Sequence, residues 1–347
     1  MTFPSFVNLM DLASERLGSA VVAANDEFFA PKESLIRREA PQWREGEYTE
    51  RGKWMDGWET RRRREAGDDW CIIRLGVAGI VRGVDVETTH FKGNYPEACA
   101  IDVSSVTSLS YVASGFSRTS DGRTSDDTAS TLPSVQWTEI LPRTPLEGDT
   151  HNLFAVDAAI AATHVRLRIF PDGGVARLRV YGDVVPDWDR LRRRGEVDLA
   201  AAEHGGLVVA CSDMFFGGRD NLIMPGDARN MGDGWETKRR RGPGHDWTIV
   251  RLGAPGTIDR VEVDTRHFKG NAPGACSLDG CLMEGASPDL VTGAGIEWRE
   301  LMPRRVLQPH ARHTFDDVQA IGEVTHARLN IFPDGGVGRL RLFGRPR

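Results

Sequence analysis

The sequence predicts an all-β protein made of two tandem antiparallel β-sandwiches related by internal duplication. Three observations predict it. The chain repeats its own motifs at a nearly constant shift, its apolar residues alternate with charged ones, and its 347 residues include 38 glycines and 18 prolines, a turn density that suits short strands.

The duplication is explicit. DGWETRRRR at Asp56–Arg64 returns as DGWETKRRR at Asp233–Arg241, and HFKGN at His90–Asn94 returns at His267–Asn271, both at a shift of 177. Between 56–99 and 233–276, 27 of 44 positions are identical, far beyond chance. THVRLRIFPDGGVARLRVYG (163–182) matches THARLNIFPDGGVGRLRLFG (325–344) at 15 of 20 positions, now at a shift of 162. The drop in shift places an insertion in the first copy, and the Ser/Thr/Gly/Asp-rich stretch at about 104–133 has the composition of a flexible loop. Near the N-terminus, Val21-Val22-Ala23 through Asp26 and Phe28-Phe29 correspond to Val208-Val209-Ala210 through Asp213 and Phe215-Phe216. The first copy is therefore expected over 1–182 and the second over 199–347. A linker over 183–198 would carry Pro186 and the charged run Arg190–Arg194.

Inside each copy the strands follow from period-2 patterning. Val165, Leu167 and Ile169 alternate with Arg166 and Arg168, and Leu178 and Val180 with Arg177 and Arg179, as half-buried antiparallel strands do. Val84 and Val86 alternate with Asp85 and Glu87, and Val261 and Val263 with Glu262 and Asp264. The PDGG at Pro171–Gly174 and Pro333–Gly336 reads as a turn, since proline presets φ and glycine accepts φ > 0.

Charge and cysteine usage narrow the function class. Fifty acidic against 44 basic side chains leave a net charge of −6, and acidic residues flank the arginine runs, which argues against a nucleic-acid partner. No apolar run approaches the ~18 residues that span a bilayer, so no membrane partner is expected. Five cysteines without CxxC spacing argue against a disulfide framework and a cysteine zinc site, and suggest a reduced, cytoplasmic protein. Only five of the 44 basic residues are lysines (Lys32, Lys53, Lys92, Lys238, Lys269), so the position of each is informative.

Two polar clusters kept by both copies are the candidates for chemistry. In DGWET-RRR, Asp56, Glu59 and Arg62–Arg64 place carboxylates beside guanidinium groups, able to bind a small anion and manage protons, although a capped turn with ion-paired arginines would leave the same pattern. In HFKGN, an imidazole, an ammonium and a carboxamide lie within five residues around a glycine, which suggests an αL turn or close backbone approach. His90 is in phase with Val84 and Val86, so an uninterrupted strand would turn it inward. Arg143 and Arg304, each after a proline in LPR and MPR, are further anion-binding candidates. His310 and His313 form an HxxH without helix or third ligand, a weak metal signal.

Taken together, DGWETRRRR/DGWETKRRR, the two HFKGN motifs, SERLGSAVVAANDEFFAPKESLI near the N-terminus and IFPDGG in each copy closely resemble the allantoicase (allantoate amidinohydrolase) family over essentially the whole chain. The resemblance implies two jelly-roll sandwiches of the galactose-binding-like type, a homo-oligomer, and a hydrolase of purine and ureide degradation that converts allantoate to (S)-ureidoglycolate and urea. The small-molecule partner would then be allantoate. Its central carbon bears a carboxylate and two ureido groups, so one urea can be expelled by general acid/base catalysis. For that reaction Glu59 or Glu236 and His90 or His267 would move protons. Arg62 or Arg239, Lys92 or Lys269, and Arg143 or Arg304 would hold the carboxylate, and Asn94 or Asn271 a ureido group. No cofactor is expected and no metal ligands are assigned, although a divalent metal is a third route to such hydrolysis. The alternative is a non-catalytic jelly-roll that binds a small, sugar-type ligand.

Overall fold

The computed structural model describes residues 3–105, 135–283, 285, 291–293 and 295–347, so all but the first residues of the insertion expected at about 104–133 lie outside the described residues. The chain divides into two units, Met1–Val185 and Pro186–Arg347. The stretch 183–198 is structured. The strand Arg177–Val184 runs into it, Asp187 caps a helical turn at Trp188–Arg192 by accepting from the Arg190 N–H, and Val197–Asp198 pairs with Phe343–Gly344.

Each unit is organised by one 19-residue strand. In the first unit this is Asp69–Glu87. Its first half lies between Ala20–Ala24 and Ala161–Phe170, and Ala161–Phe170 leads on to Ala98–Ser104 and Thr138–Pro145. Its second half lies between Arg177–Val184 and His151–Ala155, all antiparallel. The strand thus belongs to two sheet faces, and it passes between them where side chains would not fit. A Cβ on Gly76 would sit 2.1 Å from the Leu17 carbonyl oxygen, and one on Gly83 would sit 2.3 Å from the Phe6 ring. Alternate residues from both halves, Ile73, Leu75, Val81, Val84 and Val86, enter one core with Leu167, Ile169, Leu178 and Val180. In the second unit Asp246–Asp264 does the same between Leu207–Cys211, Val324–Phe332, Arg339–Pro346 and Arg312–Phe315.

Two sequence expectations fail on particular residues. Arg177 was expected to face solvent, opposite Leu178 and Val180, but it is fully buried. Its guanidinium donates to Asp56 Oδ2 at 2.8 Å, to the Asp56 and Ala176 carbonyls at 3.1 and 2.7 Å, and through Nε to the Glu39 carbonyl at 3.0 Å. A loop covers this outer face, and an arginine remains beneath it because each of its three guanidinium nitrogens has an acceptor. Arg339 repeats the arrangement with Asp233. The second failure concerns His90. Its strand ends at Glu87, so the parity argument does not reach it.

Candidate functional site

The candidate site is built where three segments meet at one end of the sandwich. Trp58–Glu59 forms a short strand paired with Gly174–Val175, which begins on the last residue of the PDGG turn. Trp58 is fully buried and its indole N–H donates to the Asp26 carbonyl at 2.8 Å, which fixes the next residue, Glu59, at the rim. The third segment is HFKGN. After Glu87 the chain turns, and His90 takes up the left-handed conformation at φ 72°, held by its N–H donating to Asp149 Oδ1 at 2.8 Å. His267 sits at φ 75° with its N–H donating to His310 Nδ1 at 2.8 Å. The αL residue is thus the histidine and not the glycine of the motif. Gly93 and Gly270 would accept a Cβ with nothing within 4 Å, so neither close approach nor positive φ explains them.

Phe91 locks the assembly. It is fully buried, and Gly57 and Gly174 let the other two segments press on it, since a Cβ on Gly174 would stand 1.9 Å from the ring. Burying such a ring contributes about 1.5–3 kcal/mol. The Gly174 N–H then donates to the Asn94 carbonyl at 2.8 Å. With all three segments laced together, Asn94 Nδ2 donates to Glu59 Oε1 at 2.7 Å across 35 residues of chain. Phe268, Gly234 and Gly336 repeat the packing in the second unit, and Asn271 Nδ2 donates to Glu236 Oε1 at 2.5 Å. Burial raises the Glu59 pKa above the ordinary carboxylate value, and the Asn94 hydrogen bond opposes that rise only in part.

The arginine run is divided by its partners. Arg61 pairs with Asp26 at 2.7 Å, and Arg63 pairs with Asp69 at 2.7 Å while its N–H donates to Asp172 Oδ2. Arg62 is exposed, and it lines a cavity of about 830 Å³ with Glu59, Asn94, Asp172 and Gly173. Arg239 is likewise exposed, next to Arg240, which pairs with Asp246. Asp56, grouped with the site by sequence, belongs to the Arg177 clamp. Burial alone would raise its pKa, but hydrogen bonds from Arg177 and the Gln42 N–H outweigh it and hold the carboxyl below the usual range.

His90, Lys92, Asn94 and Glu59 line a second cavity of about 380 Å³, so Glu59 and Asn94 stand between the two cavities. The His90 Nε2 lies 3.2 Å from the Pro41 carbonyl and the His267 Nε2 2.8 Å from the Ala228 carbonyl. A carbonyl only accepts, so Nε2 carries the proton and Nδ1 is the basic atom of each neutral ring. Lys92 is exposed, 3.6 Å from Asp149, and Lys269 is exposed. Arg143 and Arg304 are not drawn into these cavities. They stack on Phe170 and Phe332 at 4.8 and 4.2 Å, one residue before the PDGG turns.

Sequence reasoning missed Asp149 and His310, which hold the αL histidines, and missed Trp43 and Lys53, which line the smaller cavity. The first two are themselves αL residues at φ 55° and 56° in matching turns, a signal that self-comparison of the unlike side chains hides. His310 and His313 are engaged by backbone N–H groups of His267 and Gln308. Among the described residues no three His, Cys, Asp or Glu side chains are grouped to hold a metal ion. No helix among them is long and apolar enough to cross a membrane.

Comparison with known proteins gives a consistent result. The allantoicase repeat family matches residues 10–185 and 197–347. A probable allantoicase of Photobacterium profundum is 48% identical over 345 residues, covering 99% of this chain and 98% of the relative. One from Pseudomonas aeruginosa is 48% identical over 343 residues, covering 99% and 97%. The crystal structure of allantoicase from Saccharomyces cerevisiae superposes with a TM-score of 0.77 at 34% identity, covering 96% of this chain and 92% of that one.

Proposed function

The chain belongs to the allantoicase family and is a hydrolase that converts allantoate and water to ureidoglycolate and urea in purine degradation, and from that premise we propose that the Glu–Asn pairs carry the chemistry. The observation behind this assignment is the Glu59–Asn94 hydrogen bond, repeated as Glu236–Asn271, on a half-buried carboxyl at the rim of both cavities.

In this proposal Arg62 binds the substrate carboxylate, with Lys92 adding positive charge, and Arg143, stacked beside the turn, steers the anion inward. Asn94 spends its amide N–H on Glu59 and keeps its carbonyl to accept a ureido N–H. Glu59, its pKa raised by burial, protonates the ureido nitrogen that leaves as urea, while the lone pair of the other ureido nitrogen supports the central carbon. Water then attacks that carbon, and the Glu59 carboxylate or the His90 Nδ1 takes its proton. Atoms balance as one water consumed, with hydroxyl on carbon and hydrogen on urea. Arg239, Lys269, Arg304, Asn271, Glu236 and His267 take the same roles in the second unit.

Replacing Glu59 and Glu236 separately with Gln and following urea release from allantoate tests this. A large fall in kcat is expected for at least one variant, and full turnover in both removes these residues from the mechanism. The same proposal puts the enzyme in the cytoplasm as a homo-oligomer. Its five free cysteines, four of them buried, suit a reducing compartment.

A further inference from the structure

Besides the exchange of Asp149 for His310, the two candidate sites differ in a feature that the duplication conceals. Gln42 and Arg229 occupy equivalent places, since both N–H groups donate to the aspartate of DGWET, Asp56 or Asp233. Between these points the first unit has residues 43–55 and the second only 230–232. The extra residues form a hairpin, Tyr48–Thr49 paired with Gly52–Lys53. Arg51 docks it by stacking on Phe28 at 5.3 Å and donating to the Phe28 carbonyl at 3.1 Å. Phe28 is 39% exposed, whereas its counterpart Phe215, with no hairpin over it, is 70% exposed.

The hairpin brings Trp43 and Lys53 to the cavity that Glu59, His90 and Asn94 line. Lys53 Nζ stands 3.8 Å over the Trp43 ring, which orients the ammonium without neutralising it. No ion pair of Lys53 is formed among the described residues, in contrast to Lys92, which has Asp149 at 3.6 Å, and Lys32, which has Glu27 and Glu33. An uncompensated cation placed by an aromatic ring, on the wall of a cavity that holds a proton-donating carboxyl, is the arrangement an anionic substrate requires.

We propose that Lys53, held by Trp43, joins Arg62 and Lys92 in binding the carboxylate of the substrate in the first unit, and that the second unit, lacking the hairpin, binds the same anion more weakly. This rests on the assignment of Glu59 to the reaction. Lys53 is a binding residue here, with no proton-transfer role, so its loss acts on KM and leaves kcat in place.

The test is steady-state urea release from allantoate by the full-length protein carrying Lys53→Gln, Lys53→Arg or Glu59→Gln. Lys53→Gln is expected to raise KM about tenfold with kcat within about twofold, and Lys53→Arg to restore most of the affinity. Lys53 lies in an exposed hairpin, so folding is not at issue. An unchanged KM in Lys53→Gln, with kcat lowered in Glu59→Gln, overturns the role of Lys53 alone. Full activity of Glu59→Gln overturns the site on which it rests.

Discussion

Asn94 Nδ2 lies 2.7 Å from Glu59 Oε1, and Asn271 Nδ2 lies 2.5 Å from Glu236 Oε1, although each pair is separated by 35 residues of chain. The two ends of each pair come from two of the motifs that both halves of the chain keep. A buried phenylalanine and two glycines bring them together, so the hydrogen bond is a product of the fold and not of local sequence. It holds one carboxylate oxygen and leaves the other for chemistry.

Asn94→Ala removes a donor that favours the ionised form of Glu59. The Glu59 pKa, already raised by burial, therefore rises further. With Glu59 acting first as an acid, the alkaline limb of the kcat/KM profile moves to higher pH. A pH–rate profile of the variant checks this, and a limb that stays in place disconnects Asn94 from the titrating group.

The Arg177–Asp56 clamp anchors the loop that leads into the hairpin. Asp56→Ala leaves a fully buried guanidinium without its carboxylate and is expected to cost about 3–5 kcal/mol. Arg177→Met in the same protein recovers part of that loss, since the remaining charge is then gone as well. Urea denaturation of the two single variants and the double variant gives the coupling energy; costs that simply add would mean that the pair does not act as a unit.

His326 gives the fold a defined acid sensitivity. Burial, with the charge of Arg251 in support, lowers its pKa from 6.5 to about 4. Because the folded pKa lies below the unfolded one, stability is intact above about pH 6.5 and falls as the pH drops toward 4, where the unfolded chain binds the proton and the folded one does not. The loss attributable to His326 reaches at most about 3 kcal/mol. Melting temperatures measured from pH 7 to pH 4 should decline less steeply in His326→Asn, and parallel curves would exclude His326 as the cause.

The fold was legible because its signals are periodic or duplicated. Val84, Val86, Leu167 and Ile169 announce strands by alternation, and they occupy the core. Alternation does not reveal what covers the outer face, so Arg177 and Arg179 look alike in sequence although only Arg177 is fully buried. Self-comparison singled out Glu59, His90 and Asn94 because both halves retain them. The same method is blind to Trp43 and Lys53, which lie in residues that one half lacks, and to Asp149, whose counterpart His310 does the same task with different chemistry. Gly93 misled because a glycine beside a histidine is the natural candidate for positive φ, yet Asp149 stabilises that backbone conformation at the histidine.

The assignment of the reaction to the Glu–Asn pairs is tested most directly by the double variant Glu59→Gln/Glu236→Gln, which keeps size and hydrogen bonding while removing both acids. With the fold verified by circular dichroism, urea release from saturating allantoate is predicted to fall by about 10²–10⁴, the usual contribution of a positioned acid or base. Turnover of the double variant at the rate of the unsubstituted protein would contradict the account.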